Sequence, residues 1–179
     1  MNRRARLESD RRGKGQRGQA AVELAYQIPL MLVILFGAVH LARVFYIYHI
    51  LHNALRGGAA LIARSANVNH CSPEDLVLAG ARNFIVYGNL QGEGTAVVPG
   101  LLPEMIRILP ERLATGTTAV ADCACAAEAE GCDVSLGGRP PDFIVVRIDG
   151  GFSVPVPFPF VNLGAILLQV SVRMPVTGG

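Results

Sequence analysis

The hydrophobic pattern of the chain begins with one long run that no charged residue interrupts. Residues 24–42 contain no Asp, Glu, Lys or Arg. A helix of this length spans about 28 Å at about 1.5 Å per residue, close to the roughly 30 Å hydrocarbon thickness of a bilayer. A buried helix of a soluble protein is the alternative, but the rest of the chain is not apolar enough to surround it. The pattern therefore predicts one membrane-spanning helix.

Beyond residue 43 the apolar pattern narrows to a single helical face. Apolar or small residues recur there at steps of three and four, which predicts an amphipathic helix. The residues of this stripe are Ile47, Leu51, Ala54 or Leu55, Gly58 and Ile62, and the polar residues off it are Arg43, Asn53, Arg56 and Arg64. We therefore predict one stem helix over residues 20–66, bent near Pro29 because proline removes a backbone hydrogen bond.

The pair Gly57–Gly58 interrupts this stem with two poor helix formers, each costing about 1 kcal/mol relative to alanine. Small residues allow another backbone to approach closely, as in small-xxx-small contacts. A kink or a frayed turn is the alternative. We expect Gly57 and Gly58, with Asn53 and Arg56 beside them, to be the stem-packing residues.

The remainder of the chain combines one helix with several strand patterns. The sequence Ser72-Pro73-Glu74-Asp75 is typical of a helix start, with Ser72 as the capping residue and Pro73 at the first position. It predicts a second helix that ends near Tyr87, before Gly88. Strands are predicted at residues 104–109, 117–125, 143–148 and 169–174. Alternate prolines in residues 154–160 favour an extended edge or link.

These elements predict an α+β fold: a long N-terminal transmembrane and stem helix, then a small, mostly antiparallel sheet domain with one further helix. The predicted organisation has three parts. They are a basic leader over residues 1–18, the transmembrane and stem helix over 19–66, and an exported domain over 67–179.

Charge is concentrated at the N-terminus. Residues 1–18 carry seven basic and two acidic side chains, a net charge of +5, and the rest of the chain has a net charge of −3. A nucleic-acid-binding arm is one interpretation, but the segment lacks interleaved aromatic residues, and no folded nucleic-acid-binding domain accompanies it. Followed by an apolar run, the basic segment predicts a cytoplasmic N-terminus and an exported C-terminal domain. The run is long for a secretory signal and lacks a clean A-x-A cleavage site.

An acidic residue, Glu23, stands at the start of the apolar run, where an unpaired carboxylate is energetically costly. Gly18 lies five positions before it. Cleavage after Gly18 would make Gln19 the first residue, and its new amine would lie one helical turn from Glu23. The amine could also meet Glu23 of a neighbouring subunit. A membrane-boundary residue with no such partner is the alternative interpretation of Glu23.

The string RGQAAVELAYQIPLMLVILFGAV, residues 17–39, resembles the class III (type IV prepilin) processing site and the TadE-like pseudopilins of the tight-adherence pilus system. The segment HNALRGGAALIARSA, residues 52–66, is similar to the N-A-x-R-x-G-A pattern of that family. Residues 143–176 resemble its closing strands. Leu24 replaces the Tyr that major Flp pilins carry after the Glu, and the chain is longer than those pilins.

The resemblance implies a minor pseudopilin that a prepilin peptidase cuts between Gly18 and Gln19, with Glu23 acting in assembly. The implied partners are the membrane, other pilin or pseudopilin subunits, and the Tad inner-membrane platform. The implied system is a type IV pilus or a type II/IV secretion system, and the implied process is cell adhesion. The implied location is the bacterial inner membrane, with the C-terminal domain periplasmic or in the pilus. An uncleaved single-pass anchor that presents a periplasmic binding domain is the alternative.

Four cysteines follow the apolar run on the predicted exported side: Cys71, Cys123, Cys125 and Cys132. An even number of cysteines in an oxidising compartment predicts disulfides. Four cysteines allow three sets of two disulfides. The set that contains Cys123–Cys125 would be strained, and of the other two sets we favour Cys125–Cys132 with Cys71–Cys123. The competing hypothesis is a zinc site in which three thiolates join His70.

Motifs for catalysis are missing from the sequence. It contains no G-x-S-x-G elbow, P-loop, H-E-x-x-H or Rossmann glycine pattern. We therefore expect no catalytic residues, no metal site, no cofactor and no nucleic-acid partner.

Overall fold

Two α-helices and six strands follow one another along the part of the chain that the structure describes. The computed structural model describes residues 3–66, 68–114, 116, 118–125, 131–157 and 162–177. The helices are α1 (Arg3–Arg64) and α2 (Leu76–Tyr87). The strands are β1 (Ile106–Leu113), β2 (Val120–Asp122), β3 (Phe143–Ile148), β4 (Phe152–Pro157), β5 (Asn162–Leu168) and β6 (Ser171–Pro175). The chain divides into two compact units, Met1–Arg43 and Val44–Gly179.

In the first unit, α1 exposes apolar side chains on every face. All side chains at residues 18–39 are exposed, and Pro29 lies inside the helix. By length and composition, α1 is the one helix in the described part of the chain that could cross a membrane. This agrees with the predicted single span over residues 24–42, which we call the apolar span. The predicted three-part division remains a prediction.

In the second unit, α1 buries one stripe and exposes the rest. Residues 44–64, the packed segment of α1, bury Val44, Leu51, Leu55, Ala59 and Ile62. Gly58 is also buried, whereas Asn53, Arg56 and Arg64 are exposed. The predicted apolar stripe is confirmed, because spacings of three and four place these residues on one side of a helix.

Helix α2 begins later than the sequence pattern indicated. Its N-cap is Asp75, whose carboxylate accepts hydrogen bonds from the backbone N–H groups of Val77 (2.8 Å) and Leu78 (3.4 Å). The predicted cap at Ser72 was wrong, because the Asp75 N–H donates to the Ser72 carbonyl (3.2 Å) in a turn that precedes the helix. The predicted end is confirmed: Gly88 adopts φ +75°, and its N–H donates to the Phe84 carbonyl.

The strands form two antiparallel sheets. The larger sheet has the order β2-β1-β3-β6, and β4 and β5 form a separate two-stranded sheet. Strand β3 has the predicted bounds, whereas β2 is only three residues long and residue 117 lies outside the described residues. The proline-rich segment up to Pro157 is an edge strand, as its composition indicated, and residues 158–160 lie outside the described part. Strand β5 was not predicted. The α+β class is confirmed.

The core of the second unit lies where α1 and α2 meet the larger sheet. Its fully buried members include Leu55 and Ile62 of α1, Ile85 of α2, and Ile144 and Val146 of β3. The C-terminal segment returns to the end of α1, where the Thr177 N–H donates to the Ala63 carbonyl at 2.8 Å. This bond satisfies a carbonyl that the helix end would otherwise leave without a partner.

Candidate assembly surface

The predicted processing residues lie on an unbroken and exposed stretch of α1. Gly18, Gln19 and Glu23 are helical and exposed. Residues four apart on a helix are neighbours on one face, so Gln19 and Glu23 lie one turn apart. A Cβ at Gly18 would meet no atom within 4 Å. A side chain at position 18 therefore fits the fold, and the carboxylate of Glu23 is accessible to a partner.

The apolar span that follows Glu23 is uncovered. Tyr26 is 80% exposed, Met31 70% and Ile34 62%. Exposed apolar surface costs roughly 25 cal/mol per Å² in water, so a helix that is apolar on every face requires lipid or other helices around it. No described residue of the chain supplies that cover to residues 18–39. This surface is suited to a bilayer or to other apolar helices.

The glycine pair of the packed segment lies against α2. A Cβ on Gly57 would meet Phe84 Cε1 at 2.8 Å, and a Cβ on Gly58 would meet Ile85 Cδ1 at 2.6 Å and the Ala81 carbonyl oxygen at 3.3 Å. The close approach that the glycines allow is therefore made by a helix of the same chain. The helix continues through both glycines. The other two predicted packing residues, Asn53 and Arg56, are exposed.

All four cysteines form disulfides, but the favoured pairing was wrong. The bonds join Cys71 to Cys125 and Cys123 to Cys132, with Cα–Cα distances of 5.4 and 5.8 Å. The physical reason is that residue 132 returns beside the segment after β2, where the Cys132 N–H donates to the Ala124 carbonyl at 3.0 Å. Residues 126–130, between Cys125 and Cys132, lie outside the described residues.

This pairing bears directly on the zinc hypothesis. No cysteine is free in the structure. The described residues contain no group of three or more His, Cys, Asp or Glu side chains placed to hold a metal ion. In the disulfide form, the thiolates that would join His70 do not exist, because each sulfur is bonded to another sulfur.

Asn69 connects the loops that carry the disulfides, and the sequence analysis missed it. Its side-chain oxygen accepts from the Cys71 N–H (3.0 Å), and its side-chain nitrogen donates to Asp133 Oδ1 (3.1 Å). Its own N–H donates to Asp75 Oδ2 (3.0 Å). Asn favours such local bonds to its own backbone, which is the signal that could have identified it. Asn69 thus brings the Cys71 loop to the Cys132 loop.

Two titratable groups in these loops have shifted pKa values. His70 is 8% exposed, and its burial lowers the pKa of the imidazole, an effect that the charge of Asp75 opposes. The side-chain hydrogen bond from Ser135 lowers the pKa of Asp133, and further bonds from the backbone and from Asn69 act in the same direction. Both directions follow from which protonation state the surroundings favour.

An ion pair crosses the larger sheet and was also missed. Arg173 Nε lies 2.7 Å from Glu111 Oε2, and Arg173 Nη2 donates to Glu111 Oε1 at 3.0 Å. These residues are 62 positions apart and lie on β6 and β1, which β3 separates. Pairing between strands so far apart in sequence leaves no local pattern to detect.

Comparison with known proteins gives a match in the N-terminal part of the chain. Residues 18–60 match the family model described as TadE-like protein. No curated protein and no solved structure matches the chain. The match confirms the resemblance drawn from the sequence and includes Gly18, Glu23 and the glycine pair. The likeness of residues 143–176 to the closing strands of the family remains a prediction.

Proposed function

From the TadE-like sequence of residues 18–60, we propose that this chain is a minor pseudopilin of a Tad/Flp type IV pilus system. A prepilin peptidase cuts it between Gly18 and Gln19. The chain is held in the bacterial inner membrane by one span, with its N-terminus in the cytoplasm and its C-terminal domain in the periplasm or the pilus. Its role is structural rather than enzymatic, and its partners are other pilin or pseudopilin subunits and the Tad platform.

The observation that carries this proposal is an exposed acidic residue at the start of an apolar span whose side chains are exposed from Leu24 to Val39. Glu23 and the apolar side chains that follow it are uncovered in the single chain. A carboxylate near hydrocarbon is stabilised when a cation pairs with it. Cleavage after Gly18 supplies such a cation as the amine of Gln19, on the same chain or on a neighbouring one. Pairing between chains would fix the axial register of adjacent helices.

Cleavage is tested by N-terminal sequencing of protein purified from the membranes of its native host. We expect a mature chain that begins at Gln19. Gly18→Ala should leave the full-length chain, whereas Gly37→Ala is the matched control that should be cut normally. A Cβ at either glycine meets no atom within 4 Å, so neither change disturbs packing in the chain.

A mature polypeptide that begins at Met1 in that host would overturn the proposal. The uncleaved anchor with a periplasmic binding domain would then be the better interpretation. A shortened chain from Gly18→Ala would likewise show that cleavage does not depend on this glycine.

The role of Glu23 is tested separately by charge. Glu23→Gln should reduce pilus assembly while leaving the amount of protein in the membrane unchanged, because only the ion pair is lost. Glu23→Asp, which keeps the charge, should retain more assembly than Glu23→Gln. Normal pili from the Glu23→Gln variant would refute the pairing.

A further inference from the structure

The outward face of the larger sheet carries two arginines and a serine in one row across three strands. The register places Arg107 of β1 directly opposite Arg147 of β3, and Arg147 directly opposite Ser171 of β6. Directly opposite residues lie on the same face, with Cβ atoms about 5 Å apart. The next opposite pair, Ile106 and Ile148, is buried on the other face. Two exposed arginines therefore lie side by side on the solvent face.

The chain balances only part of this positive charge. Arg107 Nε lies 3.0 Å from Asp149 Oδ2, and Arg173 pairs with Glu111. Within the described part of the chain, Arg147 makes no ion pair and no side-chain hydrogen bond. Like charges directly opposite each other on a sheet are destabilising. Arg107, Arg147 and Asp149 together carry two positive charges and one negative charge, a net charge of +1.

The unbalanced charge borders a cleft of about 480 Å³. The cleft lies where the β3–β4 turn meets the β5–β6 turn, and the Ile148 N–H joins the two turns by donating to the Val170 carbonyl at 3.3 Å. Its polar lining side chains are those of Arg147, Asp149, Gln169 and Ser171. Pockets that bind small ligands have volumes of roughly 300–1,000 Å³. The cleft is therefore large enough for a ligand of the size of a sugar.

The lining residues indicate the chemistry of a ligand. The guanidinium of Arg147 presents N–H groups in a planar fork that matches a carboxylate. The amide of Gln169 and the hydroxyl of Ser171 both donate and accept hydrogen bonds, which suits hydroxyl groups. A single negative charge neutralises the net charge of +1, whereas a doubly charged group would exceed it and would be repelled by Asp149.

We propose that this cleft binds a small, singly charged carboxylate that also carries hydroxyl groups, as a sugar acid does. Arg147 holds the carboxylate, and Gln169 and Ser171 bind hydroxyl groups. Every residue of the site belongs to the second unit, so the proposal depends neither on a membrane nor on cleavage after Gly18.

The test uses full-length protein in micelles of an uncharged detergent and saturation-transfer difference NMR, with D-glucuronate as the probe. We expect a Kd of about 1 mM, in keeping with one charge-assisted contact and a few hydrogen bonds. D-Glucose lacks the carboxylate and acetate lacks the hydroxyl groups, so each should displace glucuronate with an affinity about tenfold weaker. Glucose 6-phosphate, which carries more negative charge, should bind no more tightly than glucuronate.

Arg147→Gln should weaken glucuronate binding about tenfold, because it removes the charge that faces the carboxylate. Arg147→Lys keeps the charge without the planar fork and should bind with intermediate affinity. Arg139→Gln is the matched control, since Arg139 is exposed and does not line the cleft, and it should bind like the parent. A far-ultraviolet circular dichroism spectrum equal to that of the parent shows that each variant folds.

Asp149→Asn provides an independent test of the charge balance. It raises the net charge of the site by one, so glucose 6-phosphate should then bind more tightly than glucuronate. An unchanged preference would contradict the assignment of the ligand as singly charged.

No binding of glucuronate at concentrations up to about 20 mM would overturn the proposal. Glucose or acetate that binds as tightly as glucuronate would also overturn it, because one of the two recognition groups would then have no role. An equal loss of affinity from Arg139→Gln and Arg147→Gln would show general charge attraction instead of a site.

Discussion

The two parts of α1 share one continuous backbone but meet opposite surroundings. Residues 18–39 expose every side chain, although most are apolar. The packed segment, residues 44–64, buries one stripe and keeps its arginines exposed. Helical geometry is the same in both parts, so the difference lies in which faces carry apolar residues. A helix that is apolar all round fits lipid or other helices, whereas a striped helix fits a sheet.

The comparison also shows what glycine does in each part. At Gly37 a Cβ would meet no atom within 4 Å, but at Gly58 it would meet Ile85 and the Ala81 carbonyl. Glycine is therefore required for packing only where a second helix approaches. In the apolar span, the same residue is available for contact with another chain.

The largest expected effect concerns the disulfides, which stabilise the second unit and do not involve the apolar span. Replacing Cys71 and Cys125 together by Ser should lower the free energy of unfolding of that unit by about 4 kcal/mol, because this bond closes the longer loop. Replacing Cys123 and Cys132 should cost less, about 3 kcal/mol. The sequence separations are 54 and 9.

Urea unfolding in detergent measures both losses. Equal losses would show that loop length does not set the stabilisation. Cosedimentation of the variants with membranes should be unchanged, and its loss would mean that the span depends on the folded unit.

The next contrast compares one leucine from each part of α1. Leu55 is fully buried and Leu35 is 60% exposed. Leu55→Ala should lower the free energy of unfolding of the second unit by about 3 kcal/mol, because it removes buried contacts and leaves a cavity. Leu35→Ala should leave that free energy unchanged. A similar loss from both variants in urea unfolding would contradict the division of the helix into two environments.

A smaller difference in stability is expected between alanine substitutions at Gly58 and at Gly37. Gly58→Ala should destabilise the second unit by about 1–2 kcal/mol, because its methyl group overlaps Ile85. Gly37→Ala should instead favour the helix by about 0.5–1 kcal/mol. The change in thermal midpoint measures the first effect, and helix content in detergent micelles measures the second. Stabilisation by Gly58→Ala would show that α2 moves away at little cost.

The smallest expected effect is a pH dependence of the free energy of unfolding of the second unit. Burial lowers the pKa of His70 below its ordinary value of 6.5, so the unfolded chain binds a proton more readily than the folded chain. The free energy of unfolding should therefore be highest above about pH 6.5 and should fall as the pH decreases through that value. Urea unfolding at a series of pH values measures the fall.

His70→Gln should reduce this pH dependence, whereas His49→Gln, at an exposed position of α1, should retain it. A pH dependence that survives His70→Gln would assign it to other groups.

Much of the candidate site could be predicted because its signals are local. The apolar run, Glu23 and Gly18 are adjacent in sequence, and the stripe of Leu51, Leu55 and Ile62 repeats at the helical period. The pairing of Cys71 with Cys125 could not be predicted, because it depends on how the loop of Asn69 meets the loop of Asp133. The start of α2 was mispredicted because both Ser72 and Asp75 are good N-cap residues. The turn from Ser72 to Asp75 precedes the helix, so Asp75 is the cap.

Local sequence patterns were enough to predict that one apolar helix precedes an α+β unit, that α2 ends before Gly88, and that residues 143–148 form a strand. Each of these depends on periodicity or on the conformational freedom of one residue, which act over a few positions. Three features became visible only in the folded chain: Gly58 contacts α2, Glu111 pairs with Arg173 across β3, and β5 leaves Ile166 and Leu167 exposed. Those features arise from contacts between distant segments, and their energies depend on which surfaces meet rather than on any local pattern.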